Sequence, residues 1–256
     1  MRWIAGAFLV ALLASSCGSG ASGSPSRGGT LTVDAASSLT GAFTDLARVF
    51  AKQHPGWRVV TNFAGTDQLA AQVEQGQQAD VFAGASPKYP EELQRKHLLG
   101  TTRNFATNTL VVVVPASNPA GIANVRDLVS KRPKLVVGDP TVPIGAYTEQ
   151  VLGNLGIDER RLNIVSKEVD VKSVRAKVTT GAADAGFVYV TDALAAGSQV
   201  RHIKLPAKAQ ATAIYPIGVL SDSSHKQAAN WWIDLVTGPT GQAELRKLGF
   251  GAASSS

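Results

Sequence analysis

The stretch "LTVDAASSLTGAF", Leu31 to Phe43, decides the reading of the chain. A β-rich apolar run passes through Ala35 and Ala36 into two bare hydroxyls, Ser37 and Ser38, and Phe43, Leu46, Ala47 and Phe50 then recur at helical spacing. Strand, hydroxyls and helix in that order make a βα junction. Outward from it the same rhythm continues through "WRVVTNF", a helical face with Leu69 and Val73, "ADVFAGA", "TLVVVVP" and "KLVVGDP". It then runs through a helix carrying Tyr147, Val151 and Leu155, "NIVS", a helix carrying Val171, Val174 and Val178, and "AGFVYV". The chain closes with "YPIGVL" and an amphipathic stretch from Ser224 to Lys247 with Trp231, Trp232 and Leu235. Strands alternating with helices predict an α/β fold whose sheets are mostly parallel and flanked by helices. Continuous valine runs read as parallel strands buried on both faces. No repeat of fixed period interrupts the pattern.

Length and composition agree with a packed body of one large or two ordinary domains: 256 residues, 44% apolar and 17% charged. The net charge of +6 is spread along the chain; its one dense basic patch, "KRPK" at Lys131–Lys134, lacks interleaved aromatics and reads as a solvated loop, not a nucleic-acid surface. Met1-Arg2 followed by the apolar run Trp3–Leu13 has the form of a signal peptide, with an apolar core too short to span a bilayer. Residues 1–17 form that segment, and "LLASS" before Cys17 resembles the lipobox of bacterial lipoproteins, in which cleavage exposes the cysteine for lipid attachment. Ordinary signal cleavage, with Cys17 discarded, is the alternative; either way the protein is exported. A single cysteine excludes an internal disulfide. Residues 18–29, "GSGASGSPSRGG", read as a flexible tether. The GxGxxG within it, Gly18, Gly20 and Gly23, has no strand before it and no helix after it, so it does not read as a dinucleotide site.

Ligands of open α/β sheets collect at the carboxyl ends of strands, where N–H groups at helix starts face a crevice. Four junctions have that form: Ser37-Ser38, Gly65-Thr66, Pro143-Ile144-Gly145 and Asp170-Val171. Simple helix capping would equally account for Ser38 and Thr66. No catalytic residues are expected: GxSxG, Walker and HExxH sequences are absent, and the body has no cysteine. An exported ester hydrolase would have to use Ser37 or Ser38 as nucleophile with a base from elsewhere. Asp139 and Asp170 have no histidine near them in sequence, and His54, His97, His202 and His225 show no ligand spacing, so no direct metal ligands are expected.

At "VDAASSLTGAFTDLARVF", "FAGTDQLAAQVEQGQQADVFAGAS", "LVVVVP", "VVGDPTVPIGAY" and "GFVYVTDA" the chain resembles the molybdate-binding proteins of bacterial ABC-type molybdate importers, from about Leu31 to Phe250. The resemblance implies a two-lobed periplasmic binding protein fold of type II, with two crossovers between the lobes. Lobe I would hold residues 30–109 and 216–256, and lobe II residues 110–215. It implies ligand contacts at Ser38 and Thr66 through hydroxyl and N–H, at Ile144 and Val171 through N–H alone, and at Tyr189 through its phenol. Molybdate or tungstate would be the ligand, the metal being held only as its oxyanion and with no cofactor. The partner would be the permease of an ABC transporter. The protein would be a monomer, lipid-anchored through Cys17 to the outer face of the cytoplasmic membrane or free in the periplasm. Three departures stand out: Thr66 adds a methyl group where serine is common, Ile144 is larger than usual, and the "GDPTVPIG" loop is one residue short, which blurs the donor at Ile144 by about one position.

The residues themselves rationalise such a site. A fully deprotonated oxyanion carries only acceptors, so its cradle needs only donors: N–H groups, hydroxyls and the positive ends of helix dipoles. Neutral donors avoid the burial of a cation. Hydrogen phosphate retains a proton and wants an acceptor, whereas sulfate obeys the same donor-only rule and is separated from molybdate by pocket volume alone. A binding protein for sulfate or phosphate is therefore the second reading. Asp67 decides part of this: a carboxylate aimed into the cleft would suit hydrogen phosphate, while one at the first turn of its helix, facing solvent, would merely complement the dipole.

Overall fold

The computed structural model describes residues 28–253. The signal-like segment, Cys17 and most of the tether lie outside these residues. The first half of the chain alternates β1 (Thr30–Ala36), α1 (Thr40–Gln53), β2 (Arg58–Ala64), α2 (Thr66–Glu74), β3 (Val81–Ala83) and α3 (Lys88–Arg95). A long strand, β4 (Arg103–Pro115), and a single helical turn, α4 (Asp127–Ser130), lead into the second half: β5 (Leu135–Gly138), α5 (Pro143–Leu155), β6 (Ile164–Glu168), α6 (Val171–Thr179), β7 (Ala185–Tyr189), α7 (Val190–Ala196) and β8 (Val200–Lys204). The chain returns through β9 (Thr212–Val219) and finishes with α8 (Lys226–Thr237) and α9 (Pro239–Lys247).

The strands form one hydrogen-bonded path in the order β2-β1-β3-β9-β4-β7-β5-β6, with β8 on the other side of β4. The outer pairs β1–β2, β1–β3, β5–β6 and β5–β7 are parallel, as the βαβ rhythm requires. The middle is not. The valine run of β4, expected in a parallel strand, lies antiparallel to β7, β8 and β9. Val112, Val113 and Val114 are wholly buried because β4 is the central strand, covered on both faces, and burial of that kind does not depend on strand direction.

β4 also joins the two halves. Over Arg103–Thr109 it pairs with β9, and over Leu110–Pro115 with β7 and β8, so the strand changes partners between Thr109 and Leu110. In the first half, α1 and α8 pack on the sheet through Phe43, Phe50 and Trp232, whose rings meet edge to face at 5.2 and 5.8 Å. The C-terminal amphipathic stretch breaks at Gly238-Pro239 into α8 and α9: Pro239 starts a new helix, having no N–H for the old one.

Candidate functional site

Where β1, β2, β5 and β6 end, the helices that follow them start, and the four starts face one crevice between the halves. Ser37, Ser38, Gly65, Thr66, Pro143, Ile144, Asp170, Val171 and Tyr189 all line one small cavity there, with Ala85 at its edge. All five residues expected to contact a ligand are thus brought together. No lysine, arginine or histidine lines the cavity.

Ser38 sits in the short 3-10 turn Ser37–Leu39 that leads into α1, with its hydroxyl oxygen 3.0 Å from that of Tyr215. Thr66 is the first residue of α2 and is 1% exposed; its hydroxyl accepts the N–H of Ala85 at 3.1 Å. Its methyl group lies against Gly84, where even a Cβ would come within 3.0 Å of it, so the extra carbon is stored beside the cavity and does not narrow it in the way its size suggests.

On the facing half, Pro143 opens α5 without an N–H, which makes Ile144 the first possible donor of that helix. The Ile144 side chain is buried in the core, so its size is immaterial to a contact made through the backbone. Gly145 behind it is obligatory: a Cβ there would lie 1.8 Å from the Asp139 carbonyl oxygen. Val171 begins α6, and the Asp170 side chain caps that helix by accepting the Ser173 N–H at 2.8 Å. The first N–H groups of a helix have no partner inside it. Here the starts of α2, α5 and α6 all line the same cavity, each bringing the positive end of its dipole to it.

Tyr189 ends β7 and is 1% exposed. Its hydroxyl is buried without a hydrogen-bond partner among the described residues, a costly arrangement unless something else accepts from it. Burial raises the phenol well above its ordinary pKa, with Tyr215, Tyr147 and Asp192 adding to the shift, so it stays protonated and able to donate.

Asp67 takes neither of its two expected poses in full. It does not line the cavity, yet it is half-buried, and one carboxylate oxygen is enclosed without a partner. The carboxylate lies at the seam between the halves, where a Cβ on Gly65 would meet it at 2.6 Å and the Val169 carbonyl oxygen at 2.7 Å. Burial raises its pKa against the pull of its own and the Gln68 N–H groups. Asp170 does line the cavity, but one oxygen of its carboxylate is turned back onto Ser173.

Residues that the sequence did not single out complete the site: Ala85, whose N–H orients Thr66, and Tyr215 and Asn108 behind Ser38. No sequence motif marks them. The one signal is Asn108, a polar residue on the threshold of an apolar strand, which needs partners if buried.

Ser38 has a phenol, not a base, as its neighbour. A Ser223–Asp80–His225 cluster does occur, with Ser223 donating to Asp80 at 2.7 Å and His225 Nδ1 3.2 Å from the same oxygen. It lies at the far end of β1, beside Thr32, roughly 20 Å along the strand from Ser38 at about 3.3 Å per residue. Among the described residues no group of three or more histidine, cysteine or acidic side chains is placed to hold a metal ion.

A two-part body with a donor-lined crevice between its halves defines a solute-binding protein. The model of the bacterial extracellular solute-binding proteins matches residues 31–251. The molybdate-binding protein ModA of Mycobacterium tuberculosis is 39% identical over 262 aligned residues, covering 98% of this chain and 99% of its own. ModA of Haemophilus influenzae is 34% identical over 198 residues, 74% of this chain and 78% of its own. Among solved structures, the periplasmic molybdate-binding protein of Azotobacter vinelandii superposes with a TM-score of 0.78 at 25% identity, covering 88% of this chain and all of that one. The chain belongs to the bacterial extracellular solute-binding proteins and, within them, to the ModA family. These relatives are described as molybdate-binding proteins, the one from Azotobacter as periplasmic.

Proposed function

We propose that this protein captures molybdate, and tungstate, in the crevice between its halves and delivers it to the permease of an ABC importer. The observation that carries this reading is the set of uncharged donors contributed from both sides: Ser38 and Thr66 from one, the starts of α5 and α6 and the Tyr189 phenol from the other. A tetrahedral dianion satisfies them all at once, including the phenol that has no protein partner. Charge-assisted hydrogen bonds contribute about 1.5–3 kcal/mol each, so several suffice for tight binding even after association costs. Contacts to both halves stabilise the closed arrangement, which is the form a permease can distinguish from the open one.

In this reading the protein works alone as a monomer, needs no cofactor, and catalyses nothing. Cys17 carries the lipid that holds it at the outer face of the cytoplasmic membrane, with residues 18–29 as the leash. Thermal unfolding against molybdate, tungstate, sulfate and phosphate tests the assignment. A ligand at a hundredfold excess over its Kd stabilises by about 2.7 kcal/mol. Molybdate and tungstate are expected to raise Tm strongly and phosphate hardly at all; the reverse order overturns the reading.

A further inference from the structure

The Ser38 hydroxyl can either donate or accept, and a site meant for a bare oxyanion works only if it donates. The groups behind it decide which. Asn108 stands on β4 immediately before the strand changes partners, 3% exposed, and Tyr215 stands on β9, wholly buried. The Thr109 N–H lies 3.0 Å from Asn108 Oδ1, which fixes which end of the amide is oxygen. Asn108 Nδ2 is then the donor end, 2.9 Å from the Thr191 hydroxyl and 3.5 Å from that of Tyr215. With the Asn108 amide donating to it, the Tyr215 hydroxyl has one acceptor among the described residues for its own single hydrogen, Ser38 Oγ, 3.0 Å away. Ser38 therefore accepts from behind, and its own hydrogen is left for the crevice.

Thr66 is fixed in the same sense by a simpler device. The Ala85 N–H, 3.1 Å from its hydroxyl oxygen, can only donate. The Ser38 and Thr66 hydroxyls are thereby both polarised as donors. The relay behind Ser38 differs in its reach: it runs from Thr191 at the start of α7, through both strands that join the halves, to the first turn of the chain's opening βα unit.

We propose that Tyr215, oriented by Asn108, is a positioning residue that fixes Ser38 as a hydrogen-bond donor and so sets the preference of the site for fully deprotonated oxyanions over protonated ones. The proposal rests on the oxyanion-binding reading above and specifies how it discriminates. A hydrogen phosphate entering the crevice brings an O–H that needs an acceptor, and the relay denies it the Ser38 oxygen. Without the phenolic hydroxyl, Ser38 can turn round and accept.

Tyr215→Phe keeps the ring that packs against Phe105, Tyr189 and Phe250 at 6.1, 6.2 and 5.4 Å, and removes only the hydroxyl. Calorimetry with molybdate, and competition of bound molybdate by inorganic phosphate near neutral pH, are to be run on the wild type, Y215F, S38A and the double variant. Y215F is expected to weaken molybdate binding about 2- to 12-fold, the worth of one ordinary hydrogen bond. Phosphate is expected to compete better in Y215F than in the wild type. In the S38A background Y215F should cost nothing further, because it acts through Ser38. Asn108→Ala, which leaves the phenol but removes its orienting donor, should shift the molybdate-to-phosphate ratio in the same direction, and carries the test if Y215F does not fold. Additive losses in the double variant, or no gain in phosphate competition in either variant, overturn the proposal. A wild type that binds no molybdate overturns instead the functional reading on which it rests.

Discussion

Replacing Tyr189 with phenylalanine separates a binding phenol from a merely structural one, because the two roles predict opposite effects on the ligand-free protein. A buried tyrosine in a core makes a hydrogen bond through its hydroxyl, and its removal ordinarily costs about 0.5–1.5 kcal/mol of stability. Here the hydroxyl is enclosed at the end of β7 with no partner among the described residues, so the free protein bears the cost of its desolvation and gains nothing in return. Tyr189→Phe should therefore leave the Tm of the ligand-free protein unchanged or raise it. The bound state reverses the sign. One charge-assisted hydrogen bond is worth about 1.5–3 kcal/mol, so the Kd for molybdate should rise about 10- to 150-fold. The ring itself, edge to face with Tyr147 at 6.5 Å and Tyr215 at 6.2 Å, is retained, so packing does not confuse the comparison. Calorimetry supplies the affinity and differential scanning calorimetry the stability. A Kd within twofold of the wild type, or a clear fall in the ligand-free Tm, would refute the assignment of this phenol to the ligand.

Thr66→Val preserves shape but removes the hydroxyl that accepts from Ala85 and faces the crevice; it should weaken molybdate about 10-fold or more, and calorimetry giving an unchanged Kd would return Thr66 to the role of a plain helix start. Tyr89 on α3 donates its hydroxyl to the Thr141 carbonyl on the opposite half, so Tyr89→Phe should lower affinity a few-fold by disfavouring closure, seen in small-angle scattering as a smaller ligand-induced compaction. Asp34, buried on β1 with its pKa raised to about 6 by burial despite the Asn62 hydrogen bond, binds more protons folded than unfolded between its ordinary value and that point. Stability from this group consequently falls as pH rises through that window, and the whole penalty is present above it. Asp34→Asn should raise stability by about 3 kcal/mol at pH 8 and by nothing below pH 4, as read from denaturant unfolding at both pH values.

The βα rhythm exposed most of the fold because each unit carries its own period: apolar residues every third or fourth position in the helices, short β-branched runs in the strands. The same local signal could not reveal strand direction. The valine run of β4 is as apolar as any parallel strand, and only its place in the middle of the sheet, fixed by pairings more than seventy residues away in sequence such as Leu110 with Tyr189, makes it antiparallel. The crevice was legible for a related reason. Ser38, Thr66, Ile144 and Val171 each stand at a βα junction, and a junction is a local feature even when the four converge only in three dimensions. Tyr189 was legible through resemblance alone, since a tyrosine ending an apolar strand is ordinary core. Tyr215 and Asn108 escaped notice because their significance lies wholly in distances to residues on other elements. The Thr66 methyl also shows how a volume read from sequence misleads: whether a carbon narrows a pocket depends on which way it points, and this one points at Gly84.

The crevice binds an anion in acidic surroundings, and the disposition of those acids explains how. Asp139 is occupied by the Thr141 hydroxyl and N–H at 2.7 and 3.0 Å, which hold its carboxyl below the usual range. Asp170 caps α6, and Asp192, wholly buried and pushed up to about 7 by that burial, lies 3.7 Å from Arg175. Asp139 and Asp170 are thus engaged with donors of their own, while Asp67 at the seam and Asp192 behind it each keep one enclosed, unpartnered oxygen. With no lysine, arginine or histidine lining the cavity, no charged side chain there draws the oxyanion in. Attraction comes from helix starts and hydroxyls within hydrogen-bonding reach, an interaction that is strong at contact and negligible a turn away. Such a site recognises the shape and protonation of what enters in preference to its charge alone, which is the discrimination that an importer of a scarce dianion needs among more abundant ones.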